Sequence, residues 1–175
     1  MTTLKTDFDT SVKELRSFLE AQVFVRKEML KSSGRENPLD YLCMEDFILR
    51  HGRAFIPTKR PAYVKQATLK ECFRNATQLM MNCSDLAYVE GYACGIIPVM
   101  HAWCVDKSGQ VVDPTWTDGS VYFGVVFKSD YVIQCNLRRE KYGVIDWWEE
   151  NWPLLSGKDP VQESLNFDWL EKDDE

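Results

Sequence analysis

From Asp9 to about Lys31 apolar residues fall at helical spacing. Val12, Leu15, Leu19, Val23 and Leu30 form a stripe, Phe18, Phe24 and Val25 widen it, and Lys13, Glu14, Arg16, Glu20, Lys27 and Glu28 lie outside it. This reads as an amphipathic helix packed on its own domain. Ser32-Ser33-Gly34 breaks the pattern, and Asn37-Pro38 predicts an N-cap with proline at the first position of a second helix, which runs to about His51 and closes at Gly52. His51 then falls in the last turn, where a protonated imidazole complements the helix dipole, so it is read as a capping residue. Arg53 to Gln66, punctuated by Pro57 and Pro61, reads as loop, with a small basic cluster of Lys59, Arg60 and Lys65.

A third helix is expected from Leu69 to about Cys83. Thr68-Leu69-Lys70-Glu71 has the form of a capping box, with Thr68 as N-cap and Glu71 at the third helical position, which puts Cys72 in the first turn. The pattern then changes to strands: Leu86 to Cys94, with Tyr88, Glu90 and Tyr92 on one face; Val99 to Val105; Gln110 to Asp113; and Val121 to Phe127. Asp106-Lys107-Ser108-Gly109 reads as the turn of a hairpin that brings Asp113 beside His101. A helix is expected from Ser129 to about Lys141, with Gly143 as a stop and a short Trp-rich segment beyond it. An acidic tail from 156 to 175 is expected to be partly ordered and to dock through Phe167, Trp169 and Leu170.

The expected fold class is therefore α+β, with helices packed on a small, mainly antiparallel sheet. A chain of 175 residues suits one domain, with N-terminal helices at 9–52 and a core at 68–127. The formal charge of −6 argues against a nucleic-acid or anionic-membrane partner, both of which call for a basic surface. No apolar run is long enough to cross a bilayer and the N-terminus lacks a leader's apolar region, so a cytoplasmic location is expected. The six cysteines include no Cys-x-x-Cys pair and read as free thiols.

Candidate chemistry centres on Cys72, His101 and Asp113. A thiol attacks a carbonyl as its thiolate, which a helix N-terminus and a neighbouring imidazolium both favour. The imidazole in turn needs an acceptor that fixes its tautomer, a role Asp113 fits. A plainer reading stays open on local pattern alone, in which His101 is a satisfied core histidine and Asp113 merely begins an Asp-Pro turn. Zinc held by Cys72, His101 and Asp113 is a weaker alternative that needs an uncommon ligand set. Neither cofactor nor metal is expected.

Tyr88-Val89-Glu90-Gly91-Tyr92, His101-Ala102-Trp103 and Asp113-Pro114-Thr115, with a cysteine opening an upstream helix, resemble the core of the transglutaminase-like superfamily of papain-like cysteine enzymes. The likeness covers roughly Thr68 to Trp116. It implies Cys72 as nucleophile, His101 as base and acid, and Asp113 as orienter, in acyl transfer or hydrolysis of an amide or ester through a thioester. Gln66 precedes Cys72 by the interval at which papain-like proteases place an oxyanion-hole glutamine. Asn75, Glu90, Tyr92, Trp103 and Trp116 are candidate cleft residues, each with a structural alternative. Asn75 could tie helix to loop, Glu90 could sit on a solvated strand face, and Trp103 could be core. The expected partner is an acyl donor, peptide or small molecule. The competing function is a non-catalytic binding or inhibitor module that keeps the fold and holds a ligand or partner in a Trp-rich cleft.

Overall fold

Alternation with period two runs through the three long strands of a computed structural model that describes residues 2–139 and 141–169, with the side chains of 2–6 left aside. The strands are β1 (Arg53–Phe55), β2 (Ala87–Cys94), β3 (Pro98–Val105), β4 (Val111–Val112) and β5 (Val121–Phe127). They form one antiparallel sheet in the order β1-β5-β2-β3-β4, which makes the protein α+β. Tyr88, Tyr92, Ala102, Cys104, Phe123, Val125 and Phe127 face a large core shared with the helices. Ala87, Val89, Ala93, Trp103, Val105, Tyr122 and Val126 face a smaller one, against which Trp116 and Trp169 pack. Both faces are dry, so the strands read as nearly continuous apolar runs.

The helices are α1 (Thr2–Ser33), α2 (Met44–His51), α3 (Cys72–Asn82), α4 (Ser129–Arg138) and the single turn α5 (Val161–Ser164). None is long and apolar enough to cross a membrane among the described residues. Helix α1 buries Leu15 and Leu19, but Phe24 and Val25 are exposed, so the stripe is narrower than its pattern implies. Helix α2 begins six residues later than expected. The Asn37 amide donates to the carbonyls of Leu39 and Tyr41, which stabilises an irregular turn where the Asn-Pro pair suggested a helix start. His51 is not a charged cap: burial lowers its pKa, and its Nε2 is 2.7 Å from the Tyr41 hydroxyl. Arg53 to Phe55, read as loop, is an edge strand on β5.

Helix α3 also starts late, at Cys72 itself. The capping box does not form: Thr68 lies outside the helix, Lys70 has a left-handed φ of 68°, and Glu71 occupies the N-cap position without a side-chain cap bond. The Thr68 carbonyl instead accepts from the Asn75 amide at 2.7 Å, which binds the approach segment to the helix it enters. The described part of the tail docks as expected, with Phe167 packed on the large core. Leu165 is fully buried and bridges to Phe127, and Trp169 packs on the smaller core. Leu170 lies outside the described residues.

Glu90 is the main departure inside the sheet. It points from the middle of β2 into the large core at 1% exposure, not to a solvated face. Its carboxylate accepts from the backbone N–H groups of Val144 (2.8 Å) and Ile145 (3.1 Å) and from the Tyr88 hydroxyl (2.9 Å). Burial raises its pKa, and those three bonds together with the charge of Arg139 oppose the shift. The side chain thus fastens the 143–155 segment to the sheet. Glu90→Ala leaves three buried donors unpaired and is expected to cost about 3–5 kcal/mol of unfolding free energy. Chemical denaturation measures this directly, and a loss below about 1 kcal/mol would rule out the fastening role.

Candidate active site

His101 belongs to β3 and Asp113 follows β4 directly, so the β3–β4 hairpin sets them side by side. The turn is held by Asp106 Oδ1, which accepts from the N–H groups of Ser108 and Gln110, and by Gly109 at φ 77°. His101 Nε2 donates to Asp113 Oδ2 at 2.7 Å, with both residues buried. The remaining oxygen, Asp113 Oδ1, accepts from the N–H groups of Thr115 (2.7 Å) and Trp116 (2.9 Å). Asp113 therefore both begins the turn at Pro114 and holds the imidazole, so the two readings of the Asp-Pro pair coexist.

Tyr122 of β5 also donates to Asp113 Oδ2, at 2.9 Å. The sequence reading missed this residue, and only its position in the alternation, opposite to Val121 and Phe123, could have placed it on this face. Glycine makes room beside the histidine. Gly124, Gly91 and His101 stand in register across β5, β2 and β3. A Cβ at Gly91 would lie 2.4 Å from the Gly124 Cα, and one at Gly124 would lie 2.7 Å from the Trp103 ring. Trp103 and Tyr122 fill this space as an edge-on pair with centroids 5.1 Å apart.

Trp116 stacks on the imidazole at 4.2 Å between centroids and 23° between planes. With Nε2 committed to Asp113, the ring nitrogen left free is Nδ1, and Cys72 lies near enough to influence the imidazole. Burial lowers the His101 pKa, but the hydrogen bond and charge of Asp113, helped by the neighbouring Cys72, outweigh it and raise the pKa to about 9. Asp113 thus favours the cationic form of the imidazole. Cys72 itself is the first residue of α3, where the unpaired N–H groups of the first turn gather, and it is 9% exposed.

The other expected residues divide. Gln66 is exposed, next to Ala67, whose N–H donates to the Pro114 carbonyl at 2.8 Å, so the segment passes the Asp113 turn. Asn75 is buried and occupied by Thr68 and by the Thr115 hydroxyl at 3.0 Å, which makes it a tie between α3 and the Asp113 turn, not a cleft residue. Tyr92 and Glu90 face the large core, on the side of the sheet opposite His101, and Tyr92 donates its hydroxyl to Glu45. Trp103 is fully buried beneath the histidine. Of the five candidate cleft residues only Trp116 is partly exposed and touches His101.

All six cysteines are free. Among the described residues no three ligating side chains are arranged to hold a metal ion. The Asp113 oxygens that zinc would need already accept four hydrogen bonds. Compared with known protein families, curated proteins and solved structures, the chain matches none.

Proposed function

We propose that the protein is a cysteine-dependent acyltransferase or hydrolase of the transglutaminase-like, papain-like type. The observation that carries this reading is the buried His101, bonded to Asp113 through Nε2 and near Cys72 at the start of α3, with its pKa raised to about 9. A core histidine satisfied by a carboxylate alone has no need of a thiol at the mouth of a helix. Cys72 Sγ attacks the carbonyl carbon of an amide or ester and forms a C–S bond. The His101 proton passes to the departing amine or alcohol as its bond to carbon breaks, leaving a thioester. Water or an amine then attacks the thioester, gives its proton to His101, and expels the thiolate. Orphan N–H groups at the start of α3, with Gln66 as a second donor, suit the developing oxyanion.

A second reading, a non-catalytic binder, is favoured by how closely the site is covered, since Cys72 is 9% exposed and His101 1%. The two differ in what they ask of the thiol. As an enzyme, the protein should be alkylated by iodoacetamide at Cys72 about tenfold or more faster than at Cys43, Cys83 or Cys94 at pH 6, where ordinary thiols are almost wholly protonated. Peptide mass mapping over a time course reads all six positions together. Equal rates would remove the nucleophile and leave the binder.

A further inference from the structure

The residues that lead into α3 carry a charge opposite to that of the rest of the chain. Between Lys59 and Arg74 there are five cations, Lys59, Arg60, Lys65, Lys70 and Arg74, against one acid, Glu71, in a protein of net charge −6. None of the five is in an ion pair among the described residues, whereas Lys31, Arg50, Lys107, Arg139, Lys141 and Lys158 all are. Lys59, Lys65, Lys70 and Arg74 are exposed. Arg60 Nη1 is buried and has no hydrogen-bond partner, so this rim holds a guanidinium donor without an acceptor.

The segment is stitched along its length to the elements that carry the site. Ile56 accepts from the Val111 N–H at 3.2 Å, and Thr58 donates to the Val111 carbonyl at 2.5 Å, both on β4. Ala67 donates to Pro114 next to Asp113, and Thr68 is held by Asn75 in the first turn of α3. Val64 anchors the middle in the large core. The backbone that carries the cations is therefore held against the elements that carry Cys72 and Asp113, with Lys70 and Arg74 two residues to either side of Cys72 in sequence.

Resting on the acyl-transfer reading above, we infer that the rim from Lys59 to Arg74 selects an anionic acyl donor, one that carries a carboxylate close to its scissile carbonyl. Unpaired cations around a covered site raise the local concentration of anions and repel cationic donors, while the remaining acidic surface repels the same anions elsewhere. Arg60 adds a guanidinium whose Nη1 lacks an acceptor, and a guanidinium suits a carboxylate.

Two alkylating agents of similar size and different charge test this on the intact chain: iodoacetate, an anion, and iodoacetamide, which is neutral. The ratio of their rate constants at Cys72 should exceed the ratio at the half-buried Cys83 and Cys94 by about tenfold at low ionic strength. The His101 imidazolium also attracts anions, so the decisive comparison is the surface variant K65Q/K70Q/R74Q. It should lower the iodoacetate rate at Cys72 about threefold or more and leave the iodoacetamide rate unchanged, and 0.5 M salt should abolish the difference between variant and wild type, the Debye length then being only a few ångströms. If the ratio at Cys72 is the same in variant and wild type, the rim does not select charge and the inference falls, while the nucleophile stands. If neither reagent prefers Cys72 over the other cysteines, both readings fall together.

Discussion

Replacing His101 with Ala is expected to slow alkylation of Cys72 at pH 6 by about tenfold or more, because the cation that favours the thiolate is gone from contact distance. The imidazole is the partner the structure provides: buried, near Cys72, and held by Asp113 with a pKa of about 9. The same substitution separates charge from packing. A folded-state pKa raised above the ordinary 6.5 means that the ion-pair contribution to stability is fully present below pH 6.5 and is lost as pH rises through about 9. Wild-type unfolding midpoints should therefore fall over that window, and the fall should be smaller in His101→Ala. The variant will also be less stable at every pH, since Asp113 and the stacked Trp116 lose a partner. Reduced midpoints with unchanged Cys72 alkylation would mean that His101 is a structural histidine, and the enzyme reading would be given up.

Asp113→Asn carries the second large effect. The two carboxylate oxygens take four donors: His101 Nε2, the Tyr122 hydroxyl and the N–H groups of Thr115 and Trp116. An amide has one oxygen, so its NH2 must face one of those donors. If it faces the turn, the Asp113-Thr115 bonds break; if it faces His101, the ring is driven to the tautomer that cannot take a proton on Nδ1. Acceptor attack on the thioester needs that nitrogen as a base. Turnover of an activated ester such as p-nitrophenyl acetate should fall by about 10³–10⁴-fold, while alkylation of Cys72 changes less than in His101→Ala. Turnover at the wild-type rate would sink the role of Asp113 as orienter.

Periodicity and turn chemistry were enough to read β2, β3 and β5 almost to the residue, since an alternating apolar run bounded by Gly, Pro or Asp has little else to become. The hairpin that joins His101 to Asp113 was legible for the same reason. Helix starts were not. Thr68-Leu69-Lys70-Glu71 satisfies the rule for a capping box, yet the Asn75 amide, reaching back one turn, takes the Thr68 carbonyl, and Lys70 turns into the left-handed region. Asn37 likewise uses its amide on a turn in place of a cap. In both cases a side-chain amide, Asn75 seven residues on or Asn37 at the expected cap itself, bonds backbone carbonyls in place of the expected cap, and local propensity does not reveal that choice. Glu90 was misread because a charge in a strand signals solvent only when nothing folds over it. Its partners, Val144 and Ile145, lie more than fifty residues on. Tyr122 escaped notice for the same reason, as an aromatic in an apolar strand whose hydroxyl only becomes informative beside Asp113.

The strand order also bears on when the site can exist during synthesis. Cys72, His101 and Asp113 lie within a stretch of little more than forty residues, but β5, which follows them all, is inserted between β1 and β2 and supplies the second side-chain donor to Asp113. A nascent chain that has emerged only as far as Trp116 has its thiol, its imidazole and its carboxylate in hand, yet lacks β5, the strand that flanks β2 and carries Tyr122. Pairing β1 with β5 closes a loop of more than sixty residues, a late and entropically costly contact. Asp113 in this way gains its Tyr122 donor only after Phe127 has cleared the exit tunnel and β5 can join the sheet, so a site of the proposed kind is complete only once the growing chain is past that point.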